Sequence, residues 1–436
     1  MFYDYSMRFE VKNTNLESLN GLAEMAKNSQ AKRLDIDLSE DIEEMPCFCE
    51  LNSLVLPLLD YENEYEVWLH NFPYCTQAEA CYDHIIVDKF GEKDPSCQSC
   101  KFNKICSGFP AGYFEKYGKN DVKPIIDKPV EVMFEIEPSC NFSCHFCFNK
   151  ISFAEHGRDL KKYSTAEAKN IIKKIAEAKI EIIRFTGGEP LLRNDIFELI
   201  KFAYGSGLKV WLNTNGSLLN QVTVEKIKGI VENVLLPIES FDSGVEEKIT
   251  GFKNSLEKKI EAVNLLKQAG IKTVRVGTVA ISDNIKNFEK LSELVLNLPI
   301  DEWEFYYPVG GILEKEELES LVDQILEKRK KTDKEIIIAN SIPFCEIAEP
   351  QKLNLICRGA LFDDGHSRLV IDPRGFVKPH YFVNKNIGKP EDIMSAWNHE
   401  YMRALRNLEF LPEKCRECRF KFKCRGGGRE VDIFPL

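Results

Sequence analysis

The stretch Glu131-Val-Met-Phe-Glu-Ile-Glu137-Pro-Ser-Cys140-Asn-Phe-Ser-Cys144-His-Phe-Cys147 decides how this chain reads. Glu131–Glu137 reads as a strand. The cysteine triplet follows at once, which puts it on the loop at that strand's carboxyl end. Three thiolates within eight residues can hold three irons of a cubane cluster, and the fourth iron then stays open to donor atoms of a substrate. The competing reading of the same spacing is a three-cysteine zinc knuckle completed by His145 or a distant residue.

Strand and helix signals alternate downstream. Ser164–Glu167 is a capping-box pattern, and behind it Ala168, Ile171, Ile172 and Ile175 share one helical face. Ile180–Thr186 reads as a strand, and Asn194 or Asp195 caps a helix bearing Ile196, Leu199, Ile200 and Ala203. Leu208–Leu212 is the next strand. Val222–Glu232 reads as a helix and Val234–Ile238 as a strand. Leu256, Ile260, Val263 and Leu266 line another helix, ended by Gly270. Val274–Ala280 is a strand, Asn284–Leu296 a helix, and Trp303–Tyr307 a sixth strand. Such alternation implies parallel βαβ units that curl into an open or closed α/β barrel, with the site at the carboxyl ends of the strands. Glu314–Lys331 is a charged helix. Beyond it Ser367–Asp372 and Phe376–Phe382 read as a hairpin turning at Pro373-Arg374-Gly375.

The bulk numbers exclude some classes. The chain has 436 residues, 58 basic and 69 acidic, for a net charge of −11. No cationic block is present, which argues against nucleic acid as the main partner. No run approaches the roughly 18 apolar residues of a membrane helix, and the start lacks a basic n-region before an apolar core. A cytoplasmic protein, off the membrane, is expected. Fifteen cysteines in a reducing compartment point to metal sites rather than disulfides.

The cysteines fall in three zones. The last holds Pro343-Phe-Cys345, Cys357 and then Cys415-Arg-Glu-Cys418-Arg-Phe-Lys-Phe-Lys-Cys424-Arg-Gly426. The first repeats that order: Pro73-Tyr-Cys75, Cys81, and Cys97-Gln-Ser-Cys100-Lys-Phe-Asn-Lys-Ile-Cys106-Ser-Gly108. Residues 97–108 and 415–426 share five of twelve identities: three Cys, one Phe and one Gly. An auxiliary cluster is therefore expected before the barrel, with Cys97, Cys100 and Cys106 as ligands and Cys75 or Cys81 as the fourth. Structural zinc is the alternative for both sets, since CxxC also opens zinc ribbons. Cys47 and Cys49 read as buried thiols, or as a replacement for that fourth ligand, and His380 as a polar hairpin residue.

CxxxCxxC with an aromatic before its last Cys, placed after the first strand of a βα barrel, resembles the radical S-adenosylmethionine (SAM) superfamily. Its further markers fall in order at successive strand ends: Thr186-Gly-Gly-Glu189-Pro190 resembles the GGEP motif, Asn213-Thr-Asn215-Gly216 the TNG-type turn, and Ser240-Phe-Asp242 the S-x-D segment. The resemblance covers about residues 130–310. It implies a partial (β/α)6 barrel at 126–312, flanked by cysteine-rich α+β modules at 1–125 and 313–436. It implies that Cys140, Cys144 and Cys147 hold a [4Fe–4S] cluster whose open iron chelates the methionine part of SAM. Gly187, Gly188 and Glu189 would meet the SAM amino group, Ser240 the ribose or carboxylate, and Phe146 the adenine. Asn215 and Asp242 would belong to the same SAM-binding set. One electron from a donor such as a ferredoxin or flavodoxin would break the S–C5′ bond, and the resulting 5′-deoxyadenosyl radical would take a hydrogen atom from the substrate.

CxxCx5C followed by glycines resembles the SPASM and twitch extensions of radical SAM enzymes, which hold auxiliary iron–sulfur clusters. Two departures matter. His380 stands where the SPASM pattern has a Cys, and Gly428 stands at the position of a further Cys. Cys345, Cys357, Cys415, Cys418 and Cys424 therefore suffice for one twitch-like cluster, which with the N-terminal set makes two auxiliary [4Fe–4S] clusters. The analogy favours a peptide or protein side chain as substrate. An enzyme of small-molecule or cofactor biosynthesis is the alternative, and a zinc-stabilised binding protein is the non-enzyme reading. Tyr306, Tyr307, Glu304 and Arg275, on the last two strands, carry no assigned role.

Overall fold

The computed structural model describes residues 6–28, 33–55, 58, 66–77, 85–100, 102–103, 105–125, 127–147, 160, 162–308, 313–359, 367–381, 383, 385–418 and 420–427. The chain divides into two compact units, Met1–Asp127 and Lys128–Leu436.

The first unit is built on four parallel strands, β1 (Ser6–Val11), β2 (Arg33–Leu38), β3 (Glu66–His70) and β4 (Ile85–Ile86), paired in that order. Helices Leu19–Asn28 and Phe48–Val55 lie between them in sequence. The core gathers Leu34, Ile36, Val67 and Leu69 from the strands with Phe48, Phe72, Phe109 and Tyr113. Phe48 packs edge-on against Phe72 and Phe109 at 6.0 and 5.6 Å, the geometry aromatic quadrupoles favour.

The second unit carries a nine-stranded sheet. Six strands follow one another in parallel: β5 (Glu131–Glu137), β6 (Ile182–Gly187), β7 (Lys209–Asn213), β8 (Val231–Pro237), β9 (Thr273–Val279) and β10 (Glu302–Tyr306). This is the expected α/β partial barrel. The capping box forms as read: Ser164 Oγ accepts the Glu167 N–H and Glu167 returns to the Ser164 N–H. The helix it starts, Thr165–Glu177, buries Ala168, Ile171, Ile172 and Ile175, and each isoleucine is worth about 1.5–3 kcal/mol of burial. The expected 284–296 helix is two, Ser282–Lys286 and Phe288–Asn297.

Lys128–Leu436 forms one compact unit that runs across the boundary expected near residue 313. After helix Lys315–Arg329, β11 (Glu335–Ile338) adds in parallel to β10, and β12 (Arg368–Ile371) adds in parallel to β5. The hairpin partner β13 (Val377–Lys378) then pairs antiparallel with β12. The C-terminal segment thus extends both edges of the six-stranded core.

The strands alternate although the sheet is parallel. Val132, Phe134 and Ile136 of β5, Ile183 and Phe185 of β6, and Trp303 and Phe305 of β10 join the helices in one apolar core. The opposite parity carries Glu131, Glu135, Glu137, Arg184, Trp211, Asn233, Arg275, Glu302, Glu304 and Tyr306. Parallel strands covered on both faces normally read as continuous apolar runs. Here the concave face of the barrel is charged. No helix among the described residues is long and apolar enough to cross a membrane.

Candidate active site at the carboxyl ends of the strands

The cysteine triplet sits where the sequence reading put it, directly beyond β5. Cys140 is exposed, Cys144 and Cys147 are half-buried, and all three are free thiols. Two neighbouring loops hold this one. Ser143 donates its N–H to the Thr250 carbonyl at 2.7 Å, at the end of helix Ser243–Thr250, and Phe142 stacks on Phe252 with centroids 4.6 Å apart. At the other end the Cys140 sulfur accepts the Phe142 N–H at 3.4 Å and the Asn215 amide at 3.8 Å.

Asn215 also donates to Asn141 Oδ1 at 2.8 Å, Asn141 donates to Ser217 Oγ at 2.9 Å, and the Ser217 hydroxyl returns to Asn215 Oδ1 at 2.7 Å. The loops after β5 and β7 are thereby locked together. Asn141, Thr214 and Ser217 were not singled out from the sequence, although all three lie inside or beside the quoted motifs.

Glu189 is fully buried. Its carboxylate accepts the Leu191 N–H at 2.9 Å, the Thr214 hydroxyl at 2.8 Å and the Asn215 N–H at 2.7 Å. Burial nevertheless pushes its pKa up to about 7. The carboxylate, expected to meet a ligand's ammonium, ties the β6 loop to the β7 loop. Its glycines also answer to a different neighbour. A Cβ on Gly188 would lie 2.3 Å from the Ser139 carbonyl oxygen, and one on Gly187 2.4 Å from that of Glu137. The two glycines let this loop press against the segment leading into Cys140. Gly188 and Glu189 donate their N–H groups to those same two carbonyls, at 2.7 and 2.8 Å.

The S-x-D segment is likewise part of the scaffold. Asp242 lies at the surface end of the segment and caps helix Ser243–Thr250 by accepting the Val245 N–H at 2.9 Å. Ser240 is buried and accepts the Asp242 N–H at 3.1 Å. The segment is held by a buried pair the sequence reading missed: Lys259 contacts Glu246, both side chains being fully inaccessible. Glu246 also accepts the N–H groups of Glu239 and Ser240, at 3.0 and 2.7 Å. Glu239 accepts the Val279 N–H at 2.7 Å. Burial, then the Glu246 charge, pushes its pKa up to about 8. Burial pushes the Cys144 thiol up to about 12, with Lys259 opposing and Glu239 reinforcing. Phe146 is half-buried, its ring edge-on to His145.

Below this rim the charges of the concave face pair off across strands. Arg184 contacts Glu131 and lies 4.5 Å above the Trp211 ring; Arg275 reaches Glu304 at 2.5 Å and Asn233 at 2.8 Å. Tyr306 donates to Glu304, and Arg358 adds to Glu304 and Glu302. Arg275 and Glu304, whose placement the sequence left open, thus belong to one interior network. Glu135 is fully buried with Lys378 at 3.4 Å, and among the described residues neither its oxygens nor Arg275 Nη2 has a hydrogen-bond partner. A separate cavity of about 300 Å³ lies against the Arg374–Gly375 turn and touches none of the motif residues.

The described cysteines of the two repeated sets, Cys75, Cys97, Cys100 and Cys106 and Cys345, Cys357, Cys415, Cys418 and Cys424, are free thiols; Cys81 and Gly428 lie outside the described residues. Cys424 and Cys357 are buried. The Cys424 sulfur accepts the Phe344 N–H at 3.4 Å and the Cys357 sulfur the Gly359 N–H at 3.2 Å. Cys345 is exposed, and Cys415 and Cys418 are half-buried. Cys47, read as a buried thiol, is disulfide-bonded. His380 is buried, and burial, then Lys378 and Arg368, brings its pKa down to about 3.

A parallel α/β barrel with three thiols on its first carboxyl-end loop and N–H donors aimed at one sulfur fits a cluster with one open corner. Residues 134–295 match the family described as the Radical SAM superfamily, so the chain carries a domain of that kind and is an enzyme; the family uses a [4Fe–4S] cluster and SAM. It is 26% identical over 321 residues to an AdoMet-dependent heme synthase of Oleidesulfovibrio alaskensis, covering 68% of this chain and 81% of the relative. It is 25% identical over 332 residues to a PqqA peptide cyclase of Bradyrhizobium diazoefficiens, covering 71% and 83%. The fold is similar to that of Streptococcus suis SuiB in its crystal structure bound to precursor peptide SuiA: TM-score 0.56, 16% identity, 70% of this chain and 72% of that one.

Proposed function

We propose that this radical SAM enzyme takes a hydrogen atom from a side chain of a peptide or protein, in the cytoplasm, with a ferredoxin- or flavodoxin-type electron donor. The observation that carries the SAM site is the convergence on Cys140. The loops after β5, β6 and β7 meet there through Asn141, Glu189, Asn215 and Ser217. Cys140, Cys144 and Cys147 hold the cluster, which supplies the electron that cleaves SAM. The backbone of Gly187 and Gly188 meets the amino group, Ser240 faces the ribose or carboxylate end, and Phe146 covers the adenine. Glu189, Asn215 and Asp242 complete the SAM-binding set while tying these loops together. Cys345, Cys357, Cys415, Cys418 and Cys424 supply one twitch-like auxiliary cluster.

Two observations support a peptide. One is the PqqA peptide cyclase relative. The other is the charged concave face, where Glu135 and Arg275 Nη2 keep hydrogen-bonding capacity that polar backbone and side-chain groups can satisfy. A small-molecule substrate is the second reading, favoured by the relatives named AdoMet-dependent heme synthase at comparable identity.

The test is to incubate the reduced, reconstituted enzyme with SAM and peptides encoded by its genomic neighbours. A peptide mass shift together with 5′-deoxyadenosine is expected. Deoxyadenosine that persists after Cys140, Cys144 and Cys147 are all changed to Ala sinks the site assignment. Turnover of a tetrapyrrole with none of any peptide sinks the substrate class.

A further inference from the structure

We propose that Cys75, Cys97, Cys100 and Cys106 hold a [4Fe–4S] cluster inside the first unit, with all four corners ligated by protein.

These four cysteines line one cavity, walled by Phe109, Pro124 and Gly108. Spacing alone left the fourth ligand open between Cys75 and Cys81, with Cys47 or Cys49 as substitutes. Among the described residues it is Cys75 that lines the cavity with Cys97, Cys100 and Cys106, and Cys47 is disulfide-bonded; Cys81 lies outside the described residues.

The local backbone is a second copy of the C-terminal cysteine segment. Cys97 donates its N–H to the Asp94 carbonyl, as Cys415 does to Pro412. Cys100 donates to Cys97 and Cys418 to Cys415; Asn103 to Cys100 and Lys421 to Cys418; Cys106 to Phe102 and Cys424 to Phe420. All eight bonds measure 2.7–3.2 Å. Each copy ends on a glycine with positive φ, +75° at Gly108 and +80° at Gly426. In each, a proline in extended conformation opens a single 3-10 turn that carries the preceding cysteine, Tyr74–Thr76 or Phe344–Glu346. The aromatic before that cysteine then packs on the phenylalanine inside CxxCxF. Tyr74 meets Phe102 at 4.3 Å and Phe344 meets Phe420 at 5.4 Å. Only five of twelve residues coincide, so the conserved object is a cysteine scaffold, not a stretch of sequence.

The duplication of the C-terminal cysteine scaffold, whose sequence resembles iron–sulfur extensions, favours a cluster over a single zinc ion. Backbone N–H groups point at the sulfurs: Ile125 at Cys100 across 3.3 Å and Gly108 at Cys106 across 3.4 Å. Such bonds stabilise the negative charge of a thiolate-bound cluster.

The experiment uses the full chain, reconstituted anaerobically with iron and sulfide, on a Cys140→Ala/Cys144→Ala/Cys147→Ala background that silences the SAM site. Adding Cys97→Ser and Cys100→Ser should remove about four irons and four sulfides per chain and one reducible paramagnetic signal. Cys75→Ser should reduce the same signal, while Cys47→Ser should leave iron content unchanged. Iron retained by the C-terminal set and an unaltered far-ultraviolet circular dichroism spectrum show that the variant chain still folds. Unchanged iron in the Cys97/Cys100 variant, or one zinc per chain without sulfide at this site, overturns the proposal. Neither result bears on SAM cleavage, which is read separately in the chain with its central triplet intact.

Discussion

The Asn215 side-chain amide reaches the Cys140 sulfur at 3.8 Å while the Asn215 backbone N–H donates to Glu189 at 2.7 Å. One residue therefore links a thiol of the triplet to the buried carboxylate of the following motif. Removing the amide in Asn215→Ala takes a donor away from sulfur, which stabilises the oxidised cluster relative to the reduced one. A lower midpoint potential and slower SAM cleavage are expected. Potentiometry followed by electron paramagnetic resonance decides; an unshifted potential means the amide leaves the sulfur in the loaded enzyme.

Glu189 holds three donors at once. Replacing it with Ala strands the Leu191 and Asn215 N–H groups and the Thr214 hydroxyl, at a cost on the order of 2–4 kcal/mol. Glu189→Gln keeps one accepting oxygen and should lose less. Urea unfolding of the reconstituted protein measures both, and equal losses would contradict the tie.

Lys259 and Glu246 are both fully buried, and Glu246 carries the loop that bears Ser240. Lys259→Met leaves an uncompensated carboxylate in the interior and should destabilise by about 3–5 kcal/mol. A change below about 1 kcal/mol in denaturant titration would mean that the pair is hydrated in solution.

Glu239 gives a pH signature. Burial first, and the Glu246 charge next, raise its pKa from 4.5 to about 8. Lys259 and the Val279 N–H pull the other way, and Glu239 in turn raises Cys144. The folded chain thus keeps a proton that the unfolded chain has lost between about pH 4.5 and 8. This contribution to stability is full below about pH 4.5 and is lost as pH rises through 8. Glu239→Gln should flatten that part of the stability profile. Glu189, raised to about 7, leaves a residual slope of the same sign. Identical profiles for variant and parent would contradict the assignment.

Much of this was legible in the chain. The six strands, the Ser164 capping box and the loop bearing Cys140 follow from apolar periodicity and local turn chemistry, which act over a few residues. The carboxylate roles did not. Whether Glu189 or Asp242 faces a ligand or a backbone N–H depends on loops far apart in sequence, such as 137–143 against 187–191. The charged interior had a signal that went unread. Glu-Val-Met-Phe-Glu-Ile-Glu over 131–137 and Glu-Trp-Glu over 302–304 place acids at every second or fourth position of strands that a parallel sheet would otherwise keep apolar. The apolar run at 336–342 was read only as strand-like, and its parallel addition to β10 is a pairing choice no local pattern reveals.

The placement of β11 beside β10 and of β12 beside β5 makes the C-terminal segment part of the same sheet as the barrel strands. A chain cut after residue 312 would bare the backbone of β5 and β10, two rims of unpaired N–H and C=O groups of the kind that recruit strands from other molecules. Such a fragment would keep every motif of the superfamily and still be an aggregation template. The smallest working catalyst in this chain is therefore larger than its signature sequences suggest.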